Sequence, residues 1–184
     1  MGLDMYLNRK FYVKNWDHMG PERRHQITIK KGGKKSTIPV DKISYITTEE
    51  IYWRKSNQIH KWFVDNVQKG KDDCGEYHVE REQLAKLLAL INQVLVASKL
   101  VPGKVINGYV FDKKGMKPMI EKGKVIEDSS TAKQLLPVAK GCFFGGAEYD
   151  QYYYGDLEYT AKELTRILAE PEDFSGDFYY HSSW

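Results

Sequence analysis

The segment Tyr52-Trp53-Arg54-Lys55-Ser56-Asn57-Gln58-Ile59-His60-Lys61-Trp62-Phe63 concentrates two tryptophans, three cations, a histidine and two amides. Indole rings stack on planar ligands, a guanidinium grips phosphate, and side-chain amides read base edges. Stepped at about 100° per residue, a helix from about Glu49 to Gln68 puts Tyr52, Trp53, Ile59, Phe63, Val64 and Val67 on one arc. Ser56 and His60 lie inside that arc, with Asn57 at its edge. Arg54, Lys55, Gln58, Lys61, Asp65 and Asn66 fill the other side, where Trp62 stands among polar neighbours. That placement suits Trp62 to a planar ligand or a subunit interface. Arg54 and Lys55 could hold phosphate or simply solvate the helix. Asn57 could read a base edge or bond a neighbouring backbone.

A second dense block follows Gly141, running Gly141-Cys142-Phe143-Phe144-Gly145-Gly146-Ala147-Glu148-Tyr149-Asp150-Gln151-Tyr152-Tyr153-Tyr154-Gly155-Asp156. Its glycines let backbone approach a ligand, and its tyrosines offer flat faces with polar tips. Phe144, Tyr149, Asp150, Tyr152 and Tyr154 are therefore candidate ligand contacts. An aromatic loop wedged into the core accounts for the same composition.

Other residues invite chemistry less specifically. His60 reads as a general base or as a core histidine with polar partners, since an unsatisfied buried imidazole is costly. Asp72, Asp73 and Glu76 form an acidic loop that could hold a divalent ion or remain a solvated turn. The chain has no HExxH, P-loop or GxSxG, no paired HxT and no His-Asp doublet. Cys74 and Cys142 fit neither zinc spacing nor a nucleophile motif. No catalytic residue, metal or cofactor is expected.

The elements needed to position these blocks can be read from periodicity. Gly2 to Val13 reads as a strand, with Asn8, Arg9 and Lys10 toward solvent. The segments 25–30 and 35–38 flank Gly32-Gly33 as a hairpin, and Ile43 to Thr47 is a short strand entering the first helix. Leu84, Leu87, Leu88, Ile91, Leu95 and Ser98 mark a second helix, which begins at Glu80 where a Ser or Thr cap would pair with Gln83. Lys104 to Glu127 reads as short hairpins, and Ser129 to Leu136 as a brief helix. A third long helix spans Leu157 to Glu170, with Asp156 as N-cap. The tail from Asp177 to His181 is an expected edge strand. Strands mixed with three main helices, without βαβ rhythm, argue for a single α+β domain over residues 1–184.

Composition sets the outer bounds. The chain has 184 residues, 41% hydrophobic, 29% charged and 13% aromatic, with a formal net charge of +3. That charge is small and evenly spread, so no nucleic-acid polymer is expected as a partner. Its one dense basic run, Lys30 to Lys35, reads as a hairpin tip. The first residues lack a signal peptide or myristoylation pattern, and no apolar run reaches membrane-spanning length. A soluble, intracellular protein with reduced thiols and no membrane partner is the expectation.

Met1-Gly2-Leu3-Asp4-Met5-Tyr6-Leu7, the run from Tyr52 to Gln68, Asp72-Asp73-Cys74-Gly75-Glu76-Tyr77, and Gly141-Cys142-Phe143-Phe144-Gly145 with Tyr149-Asp150 resemble a widespread family of small bacteriophage proteins. Glu80 and the lysine-rich 104–124 section depart from its pattern. The family resembles the anti-CBASS sponges, which sequester cyclic dinucleotide alarm signals without cleaving them. The resemblance implies an immune-evasion protein in the cytoplasm of the infected host, a homo-oligomer (a tetramer being one form), and a pocket for a dianion carrying two bases. Trp53 or Trp62 and one or more of Tyr149, Tyr152 and Tyr154 would stack on bases. Arg54 would contact phosphate, and Asn57 or Asp150 a base edge. Two rivals stay open: a metal-assisted phosphodiesterase or nuclease using Asp72, Asp73 or Asp150, and a protein-interaction module that blocks a host factor.

Overall fold

Strand β1, Asp4–Tyr12, alternates strictly between faces, so Leu3, Met5 and Leu7 point into the core and Asp4, Tyr6 and Asn8 point away. The computed structural model describes residues 2–35, 38–112, 115–141, 144–171 and 176–184. Ser36 and Thr37 of the expected hairpin, and Cys142 and Phe143 of the second aromatic block, lie outside the described residues.

The other elements, in chain order, are short strands β2 (Lys30–Lys31) and β3 (Lys34–Lys35), then β4 (Tyr45–Arg54), α1 (Asn57–Asn66) and β5 (Tyr77–Val79). They continue with α2 (Arg81–Ala97), β6 (Leu100–Asp112), β7 (Gly115–Ile126), α3 (Ser130–Leu135), α4 (Gln151–Leu168) and β8 (Asp177–Ser183). An antiparallel four-stranded sheet runs in the order β4-β1-β8-β5. The helices supply the other side of one apolar cluster, with Ile59 and Phe63 of α1, Leu84, Leu87, Ile91 and Val94 of α2, and Leu157, Leu164 and Ile167 of α4. The fold is α+β. No helix among the described residues is long and apolar enough to cross a membrane.

Several expectations change. The first helix begins at Asn57, because Ile51, Tyr52, Trp53 and Arg54 continue a strand with period-two burial paired to β1. Lys55, with φ +64°, breaks that strand and turns the chain into α1. Arg9 is not on the solvent side. Alternation carries it inward beside Leu7, where its guanidinium lies 3.5 Å from Glu50, 2.5 Å from Glu170, and over the Phe178 ring. The tail strand β8 is internal, hydrogen-bonded to β1 and β5. Helix α4 starts six residues before Leu157, capped by Asp150 rather than Asp156. Its inward stripe extends back one turn to buried Tyr153, whose hydroxyl donates to the Leu136 carbonyl at 2.9 Å. Glu80 does cap α2: its side chain accepts from the Gln83 backbone while the Gln83 side chain accepts from its N–H.

Both tryptophans of the opening segment are core. Trp53 is 2% exposed, donates from Nε1 to Thr160 Oγ1 at 2.8 Å, and so ties β4 to α4. Trp62 is 6% exposed and meets the Phe63 ring edge-on at 5.2 Å. The helical wheel placed Trp62 on a solvated face, but α1 is buried on nearly all sides through its first two turns. Neither indole presents a free face for stacking. Replacing a buried tryptophan by alanine leaves a large cavity, so Trp62→Ala should lower the unfolding free energy by about 3–5 kcal/mol in urea denaturation. A ligand-facing surface tryptophan would change it by about 0.5 kcal/mol or less.

Candidate functional site

Ala139, Phe144 and Gly146 carry backbone polar groups that no regular element satisfies, and one side chain takes up all three. Asn57, 2% exposed at the start of α1, donates from Nδ2 to the carbonyls of Phe144 at 3.2 Å and Gly146 at 2.8 Å. Its Oδ1 accepts from the Ala139 N–H at 2.9 Å. Gly145 sits against the Lys55 turn at φ +103°, where a Cβ would come within 2.8 Å of the Lys55 carbonyl oxygen. The segment is thus clamped to the β4–α1 corner, and Asn57 has no amide left to read a base edge.

Past the clamp, the chain forms one wall of a cleft. The Tyr149 carbonyl accepts from the Ile126 N–H at 3.0 Å, and Asp150 makes a β-bridge with Val125, fixing the segment to the root of the β6–β7 hairpin. The cleft, about 450 Å³, lies between this wall, the hairpin root and the start of α3. That size falls within the range of small-molecule sites. Val105, Ile106, Ile120 and Val125 give it an apolar floor, while Lys104, Ser129, Lys133, Glu148 and Tyr149 supply polar groups. Tyr149 is held on several sides: its hydroxyl accepts from the Val138 N–H at 3.2 Å, and its ring tilts against Tyr153 at 4.9 Å. The Lys133 ammonium stands 5.6 Å from the ring centre. Lys104 has no ion-pair partner among the described residues. Two cations, a fixed aromatic ring and a carboxylate acceptor around aliphatic walls suit a planar, anionic ligand with amino groups at its edge.

Of the residues expected to bind ligand, only Tyr149 lines this cleft. Asp150 is buried as the α4 cap, accepting from the N–H groups of Tyr152 and Tyr153 at 2.9 and 3.3 Å. Tyr152 is exposed nearby and donates to Glu121 at 3.0 Å, while Tyr154 packs partly buried against the core. Phe144 is buried, with edge-to-face contacts to His60 and Trp184. Arg54 is 66% exposed, 4.0 Å from Asp4, on the open sheet face beside Tyr52 and Tyr6. It does not line the cleft. Lys104, Ser129, Lys133 and Glu148 were not singled out in the sequence; they come from three separate segments and share no spacing. A smaller cavity, about 260 Å³, near Val13, His25 and Asp41 contains none of the expected residues.

The other candidates for chemistry are engaged elsewhere. His60 is buried with Nδ1 2.8 Å from the Tyr180 hydroxyl and Nε2 3.1 Å from Asp72, which also accepts from Trp184 Nε1 at 3.0 Å. Burial, with the Asp72 carboxylate behind it, pushes the Tyr180 phenol well up. Lys71, the Gly75 N–H and the Tyr77 hydroxyl hold Asp73 down to about 2. Among the described residues no group of three or more His, Cys, Asp or Glu side chains converges as metal ligands.

Asp156 in α4 has a different environment. Burial raises its carboxyl to about 6, against opposing hydrogen bonds from Ser56 and Gln58, the latter at 3.2 Å. Its folded pKa lies above the unfolded one, so the folded state binds more protons and stability falls as pH rises from about 4 to 6. Asp156→Asn keeps an acceptor for both donors and removes the charge. It should stabilise the protein by on the order of 1–3 kcal/mol at pH 7.5 and by much less at pH 4 in parallel urea titrations.

Asn57→Asp keeps the acceptor for Ala139 but turns two donors into repulsion. Faster hydrogen exchange at residues 137–146 and a loss of about 2–4 kcal/mol in urea denaturation are expected.

Compared with known proteins, the chain matches no family model, no curated protein and no solved structure. The chemistry of the cleft is therefore read from its own residues.

Proposed function

We propose that this chain is a non-enzymatic binder that takes a cyclic dinucleotide into the cleft at the hairpin root and holds it without cleaving it. The observation that carries this reading is the meeting of Tyr149 with Lys104 and Lys133 over the apolar floor of a cleft of about 450 Å³. Tyr149 would stack on one base. The two ammoniums would offset the phosphate charges, and Glu148 would accept from an exocyclic amino group. The resemblance to bacteriophage proteins supplies the ligand class and the role in evading host defence. It supports sequestration in the host cytoplasm by a homo-oligomer. The reading moves the expected contacts from Trp53, Trp62, Arg54 and Asn57 to the lysines and Tyr149, because the former are buried, clamped or outside the cleft.

Calorimetric titration with a panel of cyclic dinucleotides, with and without magnesium, tests the proposal. Lys104→Ala/Lys133→Ala should weaken binding at least about tenfold and flatten its salt dependence. Tyr149→Phe, which keeps the ring, should bind nearly as wild type, and Tyr149→Ala should lose about 1–3 kcal/mol. Wild-type binding unaffected by the lysine pair would place the ligand elsewhere, and a magnesium-dependent loss of ligand would favour the phosphodiesterase.

A further inference from the structure

The net charge of +3 is the sum of unequal parts. Residues 13–44 hold eight Lys or Arg against three Asp or Glu, while the rest of the chain holds 20 against 22. The expectation of no nucleic-acid polymer rested on an even spread, and the spread is not even. The basic segment leaves the sheet after β1 and rejoins it before β4, where the Val13 N–H donates to the Ser44 carbonyl at 3.0 Å. No described side chain from Lys14 to Ser44 is buried, and none belongs to the core cluster. Core packing therefore does not account for this lobe's residues.

At the lobe's tip Gly32 and Gly33, both at positive φ, turn β2 into β3. The register then sets Lys30 opposite Lys35 and Lys31 opposite Lys34. Like charges directly opposite one another destabilise an antiparallel pair, and a bound anion offsets that repulsion. Lys14, Lys30, Lys31, Lys34 and Lys42 have no ion-pair partner among the described residues, where Arg23 alone in the lobe has one, Glu22 at 3.9 Å. Aromatic rings stand at the lobe's base. Tyr12, Trp16 and Tyr45 are 46%, 45% and 56% exposed, yet their neighbours hold them in place. Trp16 Nε1 donates to the Tyr12 hydroxyl at 2.9 Å, Tyr12 and Tyr45 meet edge-on at 5.1 Å, and the Lys14 ammonium lies 4.2 Å over the Trp16 ring. Ile27 and Val40, on the two arms of the hairpin, share a cavity with Val13 and Asn15, the chain neighbours of Tyr12 and Trp16. From Ile27 to Lys30 is no more than about 11 Å of chain, so the rings and the lysine tip lie within one short span.

We propose that this lobe binds single-stranded nucleic acid, the lysine hairpin taking phosphates and Tyr12, Trp16 and Tyr45 taking unpaired bases. A cationic track beside exposed rings is what a single strand needs, since its phosphates come in a row and its bases present free faces. A duplex keeps those faces stacked inside and would engage the lysines alone. Exposed Ile38 and Val40 make an anionic bilayer the rival partner. Ile46, next to Tyr45, alternates to the other face of β4, which leaves the ring cluster aromatic and suits it to bases rather than to lipid. The site shares no residue with the cleft and does not rest on the cyclic dinucleotide reading.

Fluorescence anisotropy of the full chain with labelled oligouridine, oligothymidine and a duplex, each of about 12 nucleotides per strand, tests the proposal at about 50 and 200 mM salt. At least one single strand should bind about fivefold or more tighter than the duplex, and comparison of the two strands shows which sugar is preferred. Trp16→Ala should weaken binding at least about fivefold. Lys30→Ala/Lys31→Ala/Lys34→Ala should flatten the slope of log affinity against log salt by about 2. Lys104→Ala/Lys133→Ala, in the cleft, should leave oligonucleotide binding unchanged. No binding at about 100 μM protein, a duplex bound as tightly as either strand, or oligonucleotide binding lost with the cleft lysines overturns the proposal. So does capture by phosphatidylglycerol vesicles in place of oligonucleotide. Should Trp16→Ala misfold, hydrogen exchange of the wild type decides: protection of residues 12–16 and 30–45 by oligonucleotide supports the site, and unchanged exchange there refutes it.

Discussion

One buried side-chain amide holds the wall of the cleft in place. Residues 139–141 and 144–146 join no ladder, yet their backbone reaches the core, where unsatisfied polar groups are expensive. Asn57 answers that constraint with two donors and one acceptor, each used on backbone of that segment. Gly145 permits the approach, because any side chain there would meet the Lys55 carbonyl. With the segment anchored at one end and Asp150 capping α4 at the other, Tyr149 has little freedom. The cleft wall is thus a product of helix capping and backbone satisfaction at its two ends.

The same economy governs the aromatic residues. Those that are buried build the core: Phe63 stacks on Tyr180 at 4.0 Å, Trp53 joins β4 to α4, and Phe144 meets the rings of His60 and Trp184 edge-on. Two polar side chains drawn inward with them have charged or polar partners. His60 lies between Tyr180 and Asp72, and Arg9 between Glu50 and Glu170. A buried guanidinium with two carboxylates gives modest net stability but penalises any register that would leave it alone. The proposed ligand contacts are groups the core does not use, and the hairpin root brings them together.

How much of this could be read from the sequence depended on whether the signal was local. Helix α2 was legible because Leu84, Leu87, Ile91 and Val94 repeat at helical spacing. The α+β class followed from strands and helices without βαβ order. Tyr52-Trp53-Arg54 failed because three residues fit either period, and pairing with β1 decided the outcome. Trp62 failed because a wheel assigns solvent to whatever is not apolar, whereas α1 is enclosed by neighbours distant in sequence. The sequence places the start of the last helix at Leu157 with Asp156 as cap, whereas Asp150 caps it and buried Tyr153 carries its inward stripe back a turn. Lys104 and Lys133 had no signal at all, since only the docking of the hairpin root beside α3 brings them to one cleft.

The central claim is that the cleft holds a cyclic dinucleotide intact. The most direct measurement is capture and release: incubate the protein with the ligand, remove the unbound fraction, denature by heat, and identify what is freed by chromatography. The expected result is near-stoichiometric release of unaltered cyclic ligand. Release of nothing would contradict binding, and release of a linear product would contradict sequestration.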